Sequence, residues 1–185
     1  MIPPGWFSCQ HVRQLGVEVL TSCFIARNMR ESLIEILGLK EVLRSGWVRN
    51  GVSNPESVAA HSWGMAILAL KLTPKDLDLV KVISLCLVHD IPEVRVGDLT
   101  PHDDCSNKAQ DESRAMKELA PEWFALFEEY ELGESEEAKF VKQLDKLDMG
   151  LQAMIYESKQ GLDLSEFKQS ALSKITNSEL SSLIV

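Results

Sequence analysis

The chain has 185 residues, enough for one domain with an apolar core of its own, and 45% hydrophobic with 25% charged residues is a globular composition. A formal net charge of -9 argues against a non-specific binder of nucleic acid or of an anionic membrane surface, because both need clustered Lys and Arg. No stretch reaches the roughly 18 apolar residues of a membrane span. The four cysteines, Cys9, Cys23, Cys86 and Cys105, form no C-x-x-C pair and fit reduced thiols in an intracellular, cytoplasmic protein.

Residues 1–27 form an N-terminal segment of unclear structure. The apolar run Val17–Ile25 is interrupted by Glu18 and has no strong basic region before it, so it reads as neither signal peptide nor anchor. Residues 28–185 form the single domain. Asn28 is an N-cap for a helix with Leu33, Ile34, Ile36, Leu37 and Leu39 on its apolar face, and Gly38 breaks or bends it. Ser45–Gly51 reads as a loop from its Gly and Asn content. Pro55-Glu56-Ser57 opens a helix to about Lys71. On it Val58, His61, Met65 and Leu68 share one face, which turns His61 toward the core. Thr73-Pro74 reads as N-cap and N1 of a central helix, buried on most sides, that runs through Val80–Val88 to His89-Asp90. Pro92 and Gly97 bracket a turn region. Helices follow at about 108–119, 121–130 and 136–158, and two short ones close the chain at 164–171 and 177–184. The longest carries the stripe Phe140, Leu144, Leu147, Leu151, Met154. No strand alternation, repeat or linker is visible, so the class is all-α.

Two adjacent metal-capable side chains at the end of an apolar element are costly unless paired or bound to a cation. His89-Asp90 is such a pair. With His61 it makes a mixed N/O set suited to Mn, Co, Zn or Fe, and less comfortably to Mg. A fourth ligand is needed, and the long helix offers Asp145 and Asp148. Helical geometry puts Asp148 about 40° and Asp145 about 100° from Leu144, which slightly favours Asp148 without choosing between them. Glu93 and Asp98, on the exit turn, can handle protons or hold a second cation. Arg44, Arg49 and Lys71 are candidate phosphate ligands, and Trp47 could stack on a base. The acidic stretch 128–137 lacks the loop spacing of a calcium site and reads as a solvated helix junction.

Arg44–Asn50, Glu56–Ser62, Leu87–Asp98 and Phe140–Asp145, in that order, resemble the HD-domain superfamily, and within it the 5'-deoxynucleotidase branch. The resemblance covers roughly residues 33–160 and implies a compact HD-domain helical bundle. It implies His61, His89, Asp90 and Asp145 as ligands of a catalytic divalent cation (Mn, Co or Mg, with Zn possible), which chooses Asp145. Glu93 and Asp98 would be the acid/base or substrate-contacting acids, or would bind a second cation with Leu99 adjacent. Arg44 would hold the substrate phosphate. Relatives in bacteria carry a Trp directly after that Arg; here Ser45 follows and Trp47 is nearest. The implied activity is hydrolysis of deoxynucleoside 5'-monophosphates by a homodimer. The competing readings are another HD-type hydrolase acting on a cyclic or triphosphate nucleotide, and a non-catalytic helical interaction protein.

Overall fold

The structure, a computed structural model, describes residues 28–185; residues 1–27, with the run 17–25, His11, Cys9 and Cys23, lie outside the described residues. The chain divides into two units, Met1–Leu37 and Gly38–Val185. In the first, residues 28–37 form helix α1, and its Leu33, Ile34 and Leu37 are exposed.

The second unit opens with a 3-10 turn, Gly38–Glu41, which takes the buried Leu39 out of the helix before it. Helices α2 (Ser45–Arg49), α3 (Val58–Leu72), α4 (Leu79–Val88), α5 (Glu93–Val96), α6 (Lys108–Leu119), α7 (Phe124–Leu132), α8 (Glu136–Gln160), α9 (Ser165–Lys174) and α10 (Ser178–Ser181) follow, with a 3-10 turn at Pro121–Trp123 leading into α7. The fold is all-α. The β feature among the described residues is an isolated antiparallel bridge between Leu43 and Ser57. It ties the start of α2 to the start of α3 through Val58 N to Val42 O and Arg44 N to Glu56 O. No helix among the described residues is long and apolar enough to cross a membrane.

Local chemistry sets the ends of the three central helices. Ser57 caps α3 by accepting from Ala60 N, Asp78 caps α4 by accepting from Val80 N and Lys81 N, and Ser135 caps α8 by accepting from Ala138 N. Gly161, in the left-handed region at φ 68°, ends α8. Between these ends Met65 and Ala69 of α3, Val82, Leu85 and Cys86 of α4, and Val141, Leu144 and Leu147 of α8 form one buried cluster.

Several elements differ from the sequence expectation. Thr73 ends α3 instead of opening α4: its N–H and its hydroxyl both donate to Ala69 O. The start signal that wins is Asp78, five residues on. Helix α4 is also not buried on most sides, since Leu79, Val80 and Leu87 are exposed. Ser45–Arg49 is helical rather than a loop, because Trp47 anchors it in the core (2% exposed) and its Gly46 lies close against Phe167. On α8 the buried stripe leaves Leu151 and Met154 for Gly150, Ala153 and Tyr156. Close packing causes this: a Cβ on Gly150 would lie 2.6 Å from Ile184 Cδ1.

Leu144 is fully buried where α3, α4 and α8 meet. Leu144→Ala should lower the unfolding free energy by about 2–5 kcal/mol, measured by urea denaturation against the wild-type chain.

Candidate metal centre

His61 sits in the second turn of α3 and is 1% exposed. Its ring lies between two carboxylates of α8. Nδ1 is 2.7 Å from Asp148 Oδ2, and Nε2 is 3.3 Å from Asp145 Oδ1 and 4.0 Å from Asp90 Oδ2. Asp145 and Asp148 stand on the same side of α8 one turn apart, so one imidazole bridges them. The two candidate aspartates face different nitrogens of one ring.

His89 follows the last residue of α4. Its Nδ1 lies 3.0 Å from the Cys86 carbonyl, which can only accept, so Nδ1 carries a proton, and its Nε2 lies 3.0 Å from Asp90 Oδ2. Ligand atoms of His61, His89 and Asp90 lie within 4.8 Å of one another. His61 Nε2 is buried with no hydrogen-bond partner. An unpartnered buried nitrogen among carboxylates is what a cation site looks like before the cation. A second grouping, Glu56, His61 and Asp148, is equally tight. It is already satisfied as a hydrogen-bonded layer, because Glu56 Oε1 accepts from Trp47 Nε1 at 3.0 Å and Asp148 pairs with His61 Nδ1.

After Asp90 the chain turns once and Pro92 opens α5, which returns Glu93 to the centre. Glu93 is 3% exposed, its Oε2 has no hydrogen-bond partner, and Lys108 Nζ stands 3.7 Å from its Oε1. Gly97, at φ 83°, then swings Asp98 back over the site. Asp98 accepts from the Ser45 backbone N–H and pairs at 3.1 Å with Arg44 Nη1, which is also 3.8 Å from Asp90. Arg44 therefore connects the exit turn to the His-Asp pair.

The charge balance explains the ionisation of these groups. Burial and the Arg44 charge push the His61 imidazole down, but the Asp145 and Asp148 carboxylates on either side of the ring outweigh them and raise it to about 9. Burial would push Asp90 up, but His89, Arg44 and His61 hold it well below the usual carboxylate range. Asp145 is likewise held low against burial by His61 and Lys146. Glu93 goes the other way: burial and the negative Asp90 and Asp98 raise it to about 9, so it is a neutral acid at pH 7.

Above this floor lies a cleft of about 870 Å³ whose walls include Arg44, Glu93, Asp98, Leu99 and Asp145. Trp47 reaches its edge without a free face. Its ring is in contact with Phe167 at 4.4 Å and with Tyr156 at 5.4 Å between centroids, so the expected base stacking does not fall to it. Arg49 borders the cleft but is paired with Asp103. Lys71 is exposed in the last turn of α3 and is not part of the lining. The sequence reading missed Lys108 and Lys146, the latter 2.9 Å from Asp145, and the aromatic wall of Phe167. Lys146 was adjacent to a candidate ligand, but Lys108 and Phe167 carry no local signal. Cys86 is buried and its thiol is pushed up to about 12 by burial, as expected of an inert core cysteine.

A helical bundle that brings a histidine, a His-Asp pair and a distant aspartate together defines the HD class of metal-dependent phosphohydrolases. Residues 36–184 match the HD domain, and the chain belongs to that family. It is 39% identical over 172 residues to the 5'-deoxynucleotidase HDDC2 of Homo sapiens, covering 86% of this chain and 84% of that protein. The 5'-deoxynucleotidase hdd1 of Schizosaccharomyces pombe is 37% identical over 145 residues, 70% of this chain and 73% of its own length. Among solved structures, the PH0347 protein of Pyrococcus horikoshii OT3 superposes with a TM-score of 0.73 at 36% identity, covering 82% of this chain and 91% of that one. A protein described as a predicted metal-dependent phosphohydrolase, from Magnetospirillum magnetotacticum MS-1, superposes at 0.68 with 27% identity, covering 86% and 88%.

The raised groups fix the sign of the pH response of the metal-free protein. Glu93, raised from 4.5 to about 9, keeps a proton that the unfolded chain has lost, so stability falls as pH rises through that window. His61, raised from 6.5 to about 9, contributes stability below 6.5 that is lost on the way to 9. Both slopes have the same sign. The urea midpoint of the metal-free protein should be lower at pH 9 than at pH 6.5, and Glu93→Gln should make that fall shallower; equal slopes would contradict the assignment.

Proposed function

We propose that this chain is a metal-dependent 5'-deoxynucleotidase, which hydrolyses deoxynucleoside 5'-monophosphates to deoxynucleoside and phosphate. The observation that carries the reading is the unpartnered His61 Nε2, facing Asp145 and Asp90 beside His89 and beneath Arg44. His61, His89, Asp90 and Asp145 would hold the cation; Mn, Co and Mg suit the N/O set, with Zn also possible. When bound, a divalent cation lowers the pKa of water toward neutrality and offsets phosphate charge.

The protein's own groups supply the rest. Arg44, desolvated and always charged, orients the phosphate and stabilises the charge that builds on its oxygens. Asp98 fixes the Arg44 guanidinium from the cleft side. Glu93, protonated near neutral pH, donates its proton to the 5'-oxygen as the P–O bond breaks and a water oxygen bonds to phosphorus. A carboxylate side chain close to the sugar 2'-position would disfavour a ribose by crowding. If a second cation binds, Glu93 and Asp98, with Leu99 adjacent, are its place.

A monophosphate suits the cleft better than a triphosphate. Each cation at the cleft has an acidic partner (Arg49 with Asp103, Lys146 with Asp145, Lys108 with Glu93 and Glu112, Arg44 with Asp98), which leaves little free positive charge for a polyphosphate. Relatives named as 5'-deoxynucleotidases, across animals and fungi, support the same substrate class. The functional unit is proposed to be a homodimer.

Purified protein with Mn or Co should release phosphate from deoxynucleoside monophosphates and less from the ribonucleotides. EDTA and His89→Ala should abolish the release, and Arg44→Ala should lower kcat/KM by about 10²–10³-fold. Activity in His89→Ala equal to wild type, or pyrophosphate or tripolyphosphate as the product, would overturn the reading.

A further inference from the structure

Gly64 stands in the interior of α3, where a glycine weakens a helix by roughly 1 kcal/mol relative to alanine. Its backbone is ordinary helix, so no turn or positive φ requires it. What requires it is space. A Cβ on Gly64 would overlap Asp148 Oδ1 and lie 3.2 Å from its Cγ. The missing side chain is thus the seat of the Asp148 carboxylate, one turn along α3 from His61.

From that seat Asp148 reaches His61 Nδ1 at 2.7 Å. A carboxylate on one ring nitrogen fixes the tautomer, places the lone pair on the other nitrogen and raises its basicity. The other nitrogen, Nε2, is the unpartnered one turned toward Asp145 and Asp90. Glu56 backs this layer: its Oε1 accepts from Trp47 Nε1, and its backbone N–H donates to Tyr156 Oη at 2.8 Å.

We infer that Asp148, in the space opened by Gly64, is a positioning residue that holds His61 with Nε2 directed at the cation. The inference rests on the metal reading above and extends it to two residues outside the ligand set. Asp148 touches neither substrate nor cation; it acts through His61.

The test is Mn(II) binding by calorimetry on the full chain stripped of metal, together with the visible spectrum of the Co(II)-loaded protein. Asp148→Ala should weaken Mn(II) binding by about 10–100-fold and alter the Co(II) spectrum. At saturating Mn(II) the nucleotide KM should stay within about twofold while kcat falls. Gly64→Ala, which favours the helix, should weaken Mn(II) binding in the same direction by displacing Asp148. The double variant should bind no more weakly than Asp148→Ala alone, because both changes remove one interaction. Should Asp148→Ala fail to fold, Gly64→Ala alone decides. Unchanged Mn(II) affinity in the folded single variants, or additive losses in the double variant, would overturn the positioning role and leave the metal reading standing. Wild-type protein that takes up neither Mn(II) nor Co(II) would overturn both.

Discussion

Carboxylates crowd one point of the interior. Asp90 from the turn after α4 and Asp145 and Asp148 from α8 converge on the imidazoles of His61 and His89, with Glu93 beside Lys108 and Asp98 on Arg44 close by. Like charges at this depth repel, and burial penalises each of them. The structure answers with Arg44, with a His61 that keeps its proton, and with a Glu93 that keeps its own. Each answer falls short of neutralising the acids. A divalent cation taking the place of the His61 proton would bring more positive charge to the same point, so the fold around the site and the chemistry of the site are one problem.

That constraint accounts for the architecture near the site. The three helices α3, α4 and α8 pack through Met65, Leu85 and Leu144, and the polar groups come from the start of α3, the end of α4 and the middle of α8. The bridge between Leu43 and Ser57 brings Arg44 to that point without a sheet. Pro92 ends the run of α4 and lets α5 begin at once, so Glu93 stays close. Gly97 takes the positive φ that turns Asp98 onto Arg44. Small residues do similar work: Gly64 admits Asp148, and Gly150 admits Ile184.

Trp47 shows how a residue type can mislead. Near glycines and arginines it looked like a platform for a base. In the fold its indole N–H donates to Glu56, its ring packs against Phe167 and Tyr156, and it is buried. It anchors α2, the helix that follows Arg44. The aromatic surface at the cleft is Phe167 on α9, far along the chain from the other site residues.

Local chemistry in the sequence determined a good deal by itself. Caps and periodicity placed α3, α6 and α8 nearly to the residue, and the order of His61, His89-Asp90 and Asp145 marked the family. These signals are short-range, carried by neighbours in the chain or by one helical face. The Thr73-Pro74 signal failed because a hydroxyl bond to the preceding turn competed with it. Only the tertiary structure decided that Asp145 and Asp148 share His61 through opposite nitrogens. A helical wheel gives each residue an angle but not the position of the partner ring. The same reason hid Lys108, Phe167 and the purpose of Gly64: each acquires its role from a contact with another helix.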